Sequence, residues 1–492
     1  MTPAQQPHKQ HLNATLFLAC LAQFMVILDV SVINVALPAI KHALGFSEGG
    51  LQWVVNAYTV TFAGFLLLGG RAADLLGRRS VFVWGLVLFS LASLGGGLAD
   101  SRTLLIVARL VQGLGGAVIA PASLSILTST FTEPKERHRA IGLWGAMGGA
   151  GGAAGVLLGG IIVDVMSWRW ILFINLPIGL LAAIASQRLL FEGRNEGATR
   201  NFDLLGALSA TGGLSLLVYG IVRTNTSGWG DTTTLLTIII GLALLALFVL
   251  IEGKLAKAPL MPLRLFKSRQ LSAANVVIGT VGASTFAMWF FLSLYLQDVE
   301  HYSPLKTGVA FLPMTVMLVI FSTIVSRITA RVGARRLLIG GMLGLTVGLG
   351  LFTRITAGGS YLSETLAPSM ITSIAMPFAF IPGTICATSG VKPQEAGLAS
   401  AVASTARLFG GALGLAILAT LATSHSNSLL HHATGAVHTA NQALVSGFHV
   451  AFWAASGIAL FGALVSAVAM PRLRAATAGE PSQAQAAVAV EV

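Results

Sequence analysis

The sequence predicts an all-α polytopic membrane protein with 14 transmembrane helices in a 6+2+6 arrangement and both termini cytoplasmic. Three observations carry that reading. Charged residues make up 10% of the 492 positions and apolar ones 55%, with a mean hydropathy of +0.81, whereas soluble domains are about a quarter charged. Apolar runs of about 20 residues recur along the whole chain, each long enough to cross a hydrocarbon core of about 30 Å. Every backbone polar group in such a core needs an internal partner, so the runs must be helices. Finally, of the 30 Lys and Arg, 22 fall in the tails and in or at the edges of even-numbered connections, six in or at the edges of odd-numbered ones, and two, Arg109 and Arg407, deeper inside spans. This is the positive-inside pattern of cytoplasmic loops. It assigns the net charge of +12 to membrane topology and leaves no role for nucleic acid.

The elements follow in order. A polar tail, 1–13, shows no cleavable signal sequence and leads into the first span, 14–37. Spans 52–70 and 80–98 flank the basic loop GRAADLLGRRS, and span 103–128 carries Arg109 near its start. Span 140–163 is rich in glycine, and 170–190 opens on Trp168, Arg169 and Trp170, which suit a membrane interface. These six form an N-terminal bundle, 14–190. Segment 191–270 holds two inserted helices, about 204–222 and 233–251, and a basic connector with Lys254, Lys257, Arg264, Lys267 and Arg269, expected to lie on the membrane surface as an amphipathic segment. A second six-helix bundle, 271–470, comprises 271–297, 304–326, 337–356, 367–388, 397–423 and 449–470, and the tail 471–492 reads as disordered. Residues 424–448 read as a polar outer loop; His425, His431, His432, His438 and His449 in or beside it have no metal-site spacing. Cys20 and Cys386 lie in apolar runs and imply no disulfide.

Sorting the 18 acidic residues singles out one. Seventeen fall in loops, tails or helix ends, and Asp29 alone sits inside a span, in QFMVILDVSVINVALP. At 3.6 residues per turn, Gln23 and Asn34 lie within about 20° of each other and Ser31 about 60° from Asn34, while Asp29 is about 140° away. The first helix therefore carries polar groups on two faces, as a central, cavity-lining helix would. Arg109 should likewise face the interior, because an unpaired arginine at that depth costs several kcal/mol.

An internal repeat supports two similar halves. Aligning Gly77 of the first basic loop with Gly333 of SRITARVGARRL gives an offset of 256 and superposes Arg79 on Arg335. Parallel six-helix halves with a substrate site near the midplane are an established transporter plan. In the first loop, Gly70 and Gly77 permit a tight turn, and Asp74 can pair with cations in one conformation and release them in another. In GAMGGAGGAAGVLLGGIIVD, Gly151, Gly155, Gly159 and Gly160 allow a neighbouring helix to approach closely.

These segments, with LDVSVINVALP, LQWVVNAYTV, GRAADLLGRR, RLVQGLGGA, WRWILFINLPIG and GLASAVASTARLFGGALG, resemble the major facilitator superfamily, and within it the 14-helix drug:proton antiporter branch of bacterial exporters. The resemblance runs from about residue 14 to 470. It implies the major facilitator fold, a conformational gate at Gly70, Asp74, Gly77, Arg78 and Arg79, an export motif at Gly151, Gly155, Gly159 and Gly160, and a proton-transfer role for Arg109 beside Asp29. Two positions depart from the pattern: Leu75 stands where the family has a basic residue, and Val156 where it usually has proline.

No Walker loop, HExxH, CxxC pair or nucleophile–His–Asp set accompanies these motifs, so no enzyme is expected. The expected function is proton-coupled antiport of lipophilic drugs or antibiotics out across the bacterial cytoplasmic membrane by alternating access. It would be driven by the proton gradient without a cofactor or metal, by a monomer among membrane lipids. Candidate substrate contacts are Asp29, Asn34, Tyr58, Phe62, Trp289, Phe290 and Tyr295, an apolar set whose one carboxylate admits cationic substrates. An uptake carrier on the same fold, a lipid flippase and a non-transporting sensor remain as alternatives.

Overall fold

A computed structural model describes residues 9–193, 202–256, 259–391, 395–431 and 440–470. Among them are 14 helices long and apolar enough to cross a membrane: α1 (Leu12–Leu44), α2 (Glu48–Leu76), α3 (Arg78–Gly97), α4 (Arg102–Thr130), α5 (Lys135–Val165), α6 (Trp170–Leu189), α7 (Leu204–Ser227), α8 (Thr232–Leu255), α9 (Arg269–Val299), α10 (Pro304–Thr329), α11 (Ala334–Arg354), α12 (Tyr361–Thr388), α13 (Ala396–Leu430) and α14 (Ala440–Ala469). The number and order agree with the sequence reading. Several starts are marked by side chains that accept from exposed first-turn amides, as at Ser47, Ser101, Asp231 and Ser268.

One expectation needs correction. Residues 424–448 are not a loop throughout, since helix continues to His431 and resumes at Ala440. Polar side chains bond helix to helix there: Ser426 Oγ donates to Ala443 O (2.9 Å), and His425 Nε2 lies 3.0 Å from Ser446 Oγ. His449 Nε2 lies 2.7 Å from Ile355 O. Polarity ends a hydropathy window, but by itself it does not end a helix. His432, His438 and the tail 471–492 lie outside the described residues.

The connector after α8 is not continuously helical. Pro259 and Pro262 interrupt it, and its one described helical piece is a short turn, Leu263–Lys267. Leu265 of that turn is buried against Leu271 and Ala399, and Arg264 Nη2 pairs with Glu395 Oε1 at 2.5 Å.

The chain divides into two compact units. The first comprises 1–223, 227–260 and 296–312. Within it helices cross where glycine removes the side chain, which is how helices pack when lipid supplies no hydrophobic drive. α1 lies on α5: a Cβ on Gly155 would stand 2.6 Å from Ser31 Cβ and 2.9 Å from Leu28 O. Ser31 Oγ donates across this contact to Gly152 O (2.8 Å). Gly151 and Gly159 meet α1 in the same way, whereas Gly160 faces Pro304 and Leu305 at the start of α10. Gly115 seats the backbone of Phe89, bringing α4 onto α3. α8 leaves Leu236, Ile239, Leu242 and Val249 exposed, the outward row expected of a lipid-facing helix.

The second unit comprises 224–226, 261–295 and 313–492. In it α9 packs on α13 through Gly282 and Gly414, and α11 on α12 through Gly341 and Gly348. The internal repeat is visible in local geometry. Gly77 separates α2 from α3 at φ 111°, and Gly333 separates the end of α10's helix at Val332 from α11 at φ 91°. Only glycine adopts such angles without strain.

The α1–α5 contact yields a paired test. A Cβ on Gly152 meets nothing within 4 Å, so Gly152→Val should leave the unfolding temperature of the purified protein unchanged. Gly155→Val must push Ser31 and Leu28 aside, an overpacking worth about 1–3 kcal/mol, and should lower it by several degrees. Equal effects would remove α1–α5 contact as the reason for the glycines.

Candidate functional site

The acid singled out in the sequence is completely buried. Asp29 is 0% exposed at the centre of α1, and Arg109 of α4 is 1% exposed beside it. Arg109 Nη1 donates to Asp29 Oδ2 at 2.6 Å. The same nitrogen reaches Gln112 Oε1 at 2.7 Å, and Nε donates to Val54 O of α2 at 3.1 Å. The other carboxylate oxygen, Asp29 Oδ1, accepts from Gln112 Nε2 (2.8 Å) and from Asn175 Nδ2 of α6 (2.9 Å). Ser93 Oγ of α3 accepts from Gln112 Nε2 (3.2 Å) and Asn175 Nδ2 (3.1 Å), and donates to Leu172 O (2.8 Å). Five helices of the first unit thus converge on one carboxylate.

Aromatic rings close this network. The ring of Tyr58 on α2 lies 4.4 Å from Arg109 Cζ, a cation–π distance, and Phe62 stacks on Tyr58 at 5.6 Å. Gly116 admits the phenol, because a Cβ there would stand 2.8 Å from the Tyr58 hydroxyl. The Tyr58 hydroxyl and Asn175 Oδ1 are buried with no hydrogen-bond partner among the described residues.

The arrangement makes the charge pair dependent on helix placement. An ionised carboxylate can only accept hydrogen bonds, whereas its protonated form also carries an O–H donor, and here three donors from α4 and α6 address it. A proton on Asp29 would cancel the charge that holds Arg109 and turn one acceptor oxygen into a donor. The network can therefore translate protonation into a change in how α1, α4 and α6 hold together.

The sequence reading brings Asp29 and Arg109 to this site but omits Ser93, Gln112 and Asn175. Gln112 stands in RLVQGLGGA, one turn beyond Arg109, where an amide in an apolar span is a usable signal. Asn175 stands in the aromatic stretch read as interfacial anchors. That stretch divides its work: Trp168 is buried, Arg169 Nη1 donates to Gly97 O (2.9 Å) and Ala99 O (2.5 Å), and Trp170 is exposed. Ser93 had no signal, since a lone serine in a span is commonplace.

The other candidates are spread more widely. Asn34, half-buried on α1, donates to Val30 O at 3.0 Å. In the second unit Phe290 is 1% exposed and edge-on to Phe291, Tyr295 hydroxyl donates to Thr356 O (2.8 Å), and Trp289 is half-buried. In the loop between α2 and α3, Asp74 Oδ1 pairs across Gly77 with Arg78 Nη2 at 3.6 Å, and Gly70 lies against Pro121. Arg79 reaches beyond the loop to Glu192 Oε2 (3.4 Å) and Leu190 O (3.3 Å), and Arg78 N donates to Gly193 O (3.0 Å). At the far end of α1, Lys41 bridges Glu48 and Asp298, and Gln297 Nε2 donates to Val35 O at 2.8 Å. No group of three metal-ligating side chains occurs among the described residues.

Comparison with known proteins places this site in context. The Major Facilitator Superfamily profile matches residues 19–415. The puromycin resistance protein pur8 of Streptomyces alboniger is 38% identical over 449 residues, covering 90% of this chain and 88% of its own. The cephamycin export protein CmcT of Amycolatopsis lactamdurans is 42% identical, covering 84% of this chain and 85% of its own. Among solved structures, a bacterial homolog of the human lysosomal transporter Spinster, inward-facing and unoccupied, superposes with a TM-score of 0.69 at 15% identity, over 94% of this chain and 98% of that one. The D-xylose–proton symporter gives 0.66 at 13% identity, over 95% and 100%.

The buried pair predicts non-additive stability. Asp29→Ala strands Arg109 without a counter-charge, which typically costs about 3–5 kcal/mol, and should markedly lower the unfolding temperature. Asp29→Ala with Arg109→Met removes both charges and should recover much of that loss. Additive losses in this double-mutant cycle would show that the two residues are not coupled.

Proposed function

The chain belongs to the major facilitator superfamily, and we propose that it is a proton-coupled antiporter exporting lipophilic drugs or antibiotics across the bacterial cytoplasmic membrane. The observation that carries the proposal is the buried Asp29–Arg109 pair with its three donors on one carboxylate. The names of the relatives, a puromycin resistance protein and a cephamycin export protein, support the direction and the substrate class. The superfamily is one of transporters, not enzymes.

In this reading a proton from the outer side binds Asp29, its charge is neutralised, and Arg109 loses its counter-ion. The guanidinium then turns to Gln112 and the Val54 carbonyl, its other acceptors. α1 is freed from α4 and α6 at this level, while its glycine contacts with α5 persist. In the alternate arrangement Asp29 meets the cytoplasmic solvent, and the proton leaves as the ion pair re-forms. The balance is one proton in at one face and out at the other, with drug moving the opposite way. Asp29, Asn34, Tyr58 and Phe62 are the proposed substrate contacts of one six-helix half, and Trp289, Phe290 and Tyr295 those of the other, with access alternating between the two faces of the membrane. The gate pair Asp74–Arg78 lies where a bond made in one state and broken in the other would bias the equilibrium. The Lys and Arg distribution supports cytoplasmic termini. The protein would act as a monomer.

Inverted vesicles with an imposed inward-acidic gradient provide the test, with puromycin as the probe. Wild type should accumulate drug and dissipate the gradient in step, and Asp29→Asn should lose at least 90% of gradient-driven accumulation while still exchanging drug down its own gradient. Full gradient-driven accumulation by Asp29→Asn would remove Asp29 as the coupling group. Accumulation only with the opposite gradient would favour uptake.

A further inference from the structure

Arg109 and Arg407 are both placed inside spans, and their surroundings are opposite. Arg109 has a carboxylate, an amide and a carbonyl within hydrogen-bond distance. Arg407 is the twelfth residue of α13, about 17 Å from its start at 1.5 Å per residue, well inside hydrocarbon depth. Among the described residues no hydrogen bond or ion pair reaches it, and its Nε is buried without a partner. What it does have is two phenyl rings: its Cζ lies 5.8 Å from the ring centre of Phe286 on α9 and 5.4 Å from that of Phe380 on α12. Gly411, one turn further along α13, seats the Phe286 ring and holds it in place.

An arginine at this depth without a counter-charge is strongly disfavoured, and two ring faces offset only part of that penalty. Among the described residues of the second unit, no side chain supplies a counter-charge to this guanidinium. Arg407 retains some accessible surface, so an incoming group can reach it. A planar guanidinium fork suits an oxyanion bidentately, and two fixed rings suit a flat apolar body beside that oxyanion.

We propose that Arg407, Phe286 and Phe380 form a binding subsite for the carboxylate or sulfonate of a lipophilic aromatic substrate. The inference rests on the exporter reading and extends it, from cations drawn to Asp29 to anions held in the other half of the repeat. It does not depend on proton coupling, so its test needs no gradient.

The test uses full-length protein in phosphatidylcholine nanodiscs and measures tryptophan-to-pyrene energy transfer. The probes are 1-pyrenebutyrate and its neutral amide, with empty discs subtracted. Wild type should bind the acid at least tenfold tighter than the amide. Arg407→Met and Arg407→Gln should abolish that preference while leaving amide affinity unchanged, which also reports that they fold, and Arg407→Lys should restore part of it. Equal affinity of wild type for acid and amide would overturn the proposal, as would parallel weakening of both probes in the neutral variants. Failure of Asp29→Asn to uncouple vesicles would leave this result untouched.

Discussion

Asp29 and Arg109 are an ion pair with at most 1% of either side chain exposed, and much of the first unit is arranged around keeping it satisfied. Withdrawing two charges from water is repaid only when geometry is close and the remaining donors and acceptors are filled. Gln112, Asn175, Ser93 and the Val54 carbonyl do that filling, from α4, α6, α3 and α2. Because the partners come from separate helices, the network is as much a statement about relative helix position as about charge. A single proton can alter it without any covalent chemistry.

Close helix approach is the second constraint, and glycine is how the chain meets it. Gly151, Gly155 and Gly159 set α5 against α1, and Gly116 makes room for the Tyr58 ring over Arg109. A stripe without side chains lets the two backbones approach closely enough for Ser31 Oγ to donate to Gly152 O. Val156, where the family usually has proline, leaves the α5 helix unbroken through this stripe.

Much of this was legible in the sequence, for physical reasons that also mark where legibility stopped. An acid inside an apolar run has few explanations, so Asp29 stood out, and so did Arg109. The α2–Gly77–α3 turn was legible through its echo at Gly333, and both positions carry the positive φ that glycine serves. Ser93 and Asn175 were not legible, because neutral polar side chains are tolerated on any helix face and their bonds join positions 82 apart. The ends of α13 and α14 were misread because hydropathy reports affinity for lipid, not the capacity to remain helical. Histidine and serine there bond between helices.

The central claim is that Asp29 carries the proton that drug displaces. It is tested most directly by measuring protons released when a drug shown to be transported binds the purified protein in weakly buffered solution. The account predicts that wild type releases protons on binding drug, and that Asp29→Asn releases none at equal occupancy. Undiminished release from Asp29→Asn would contradict it.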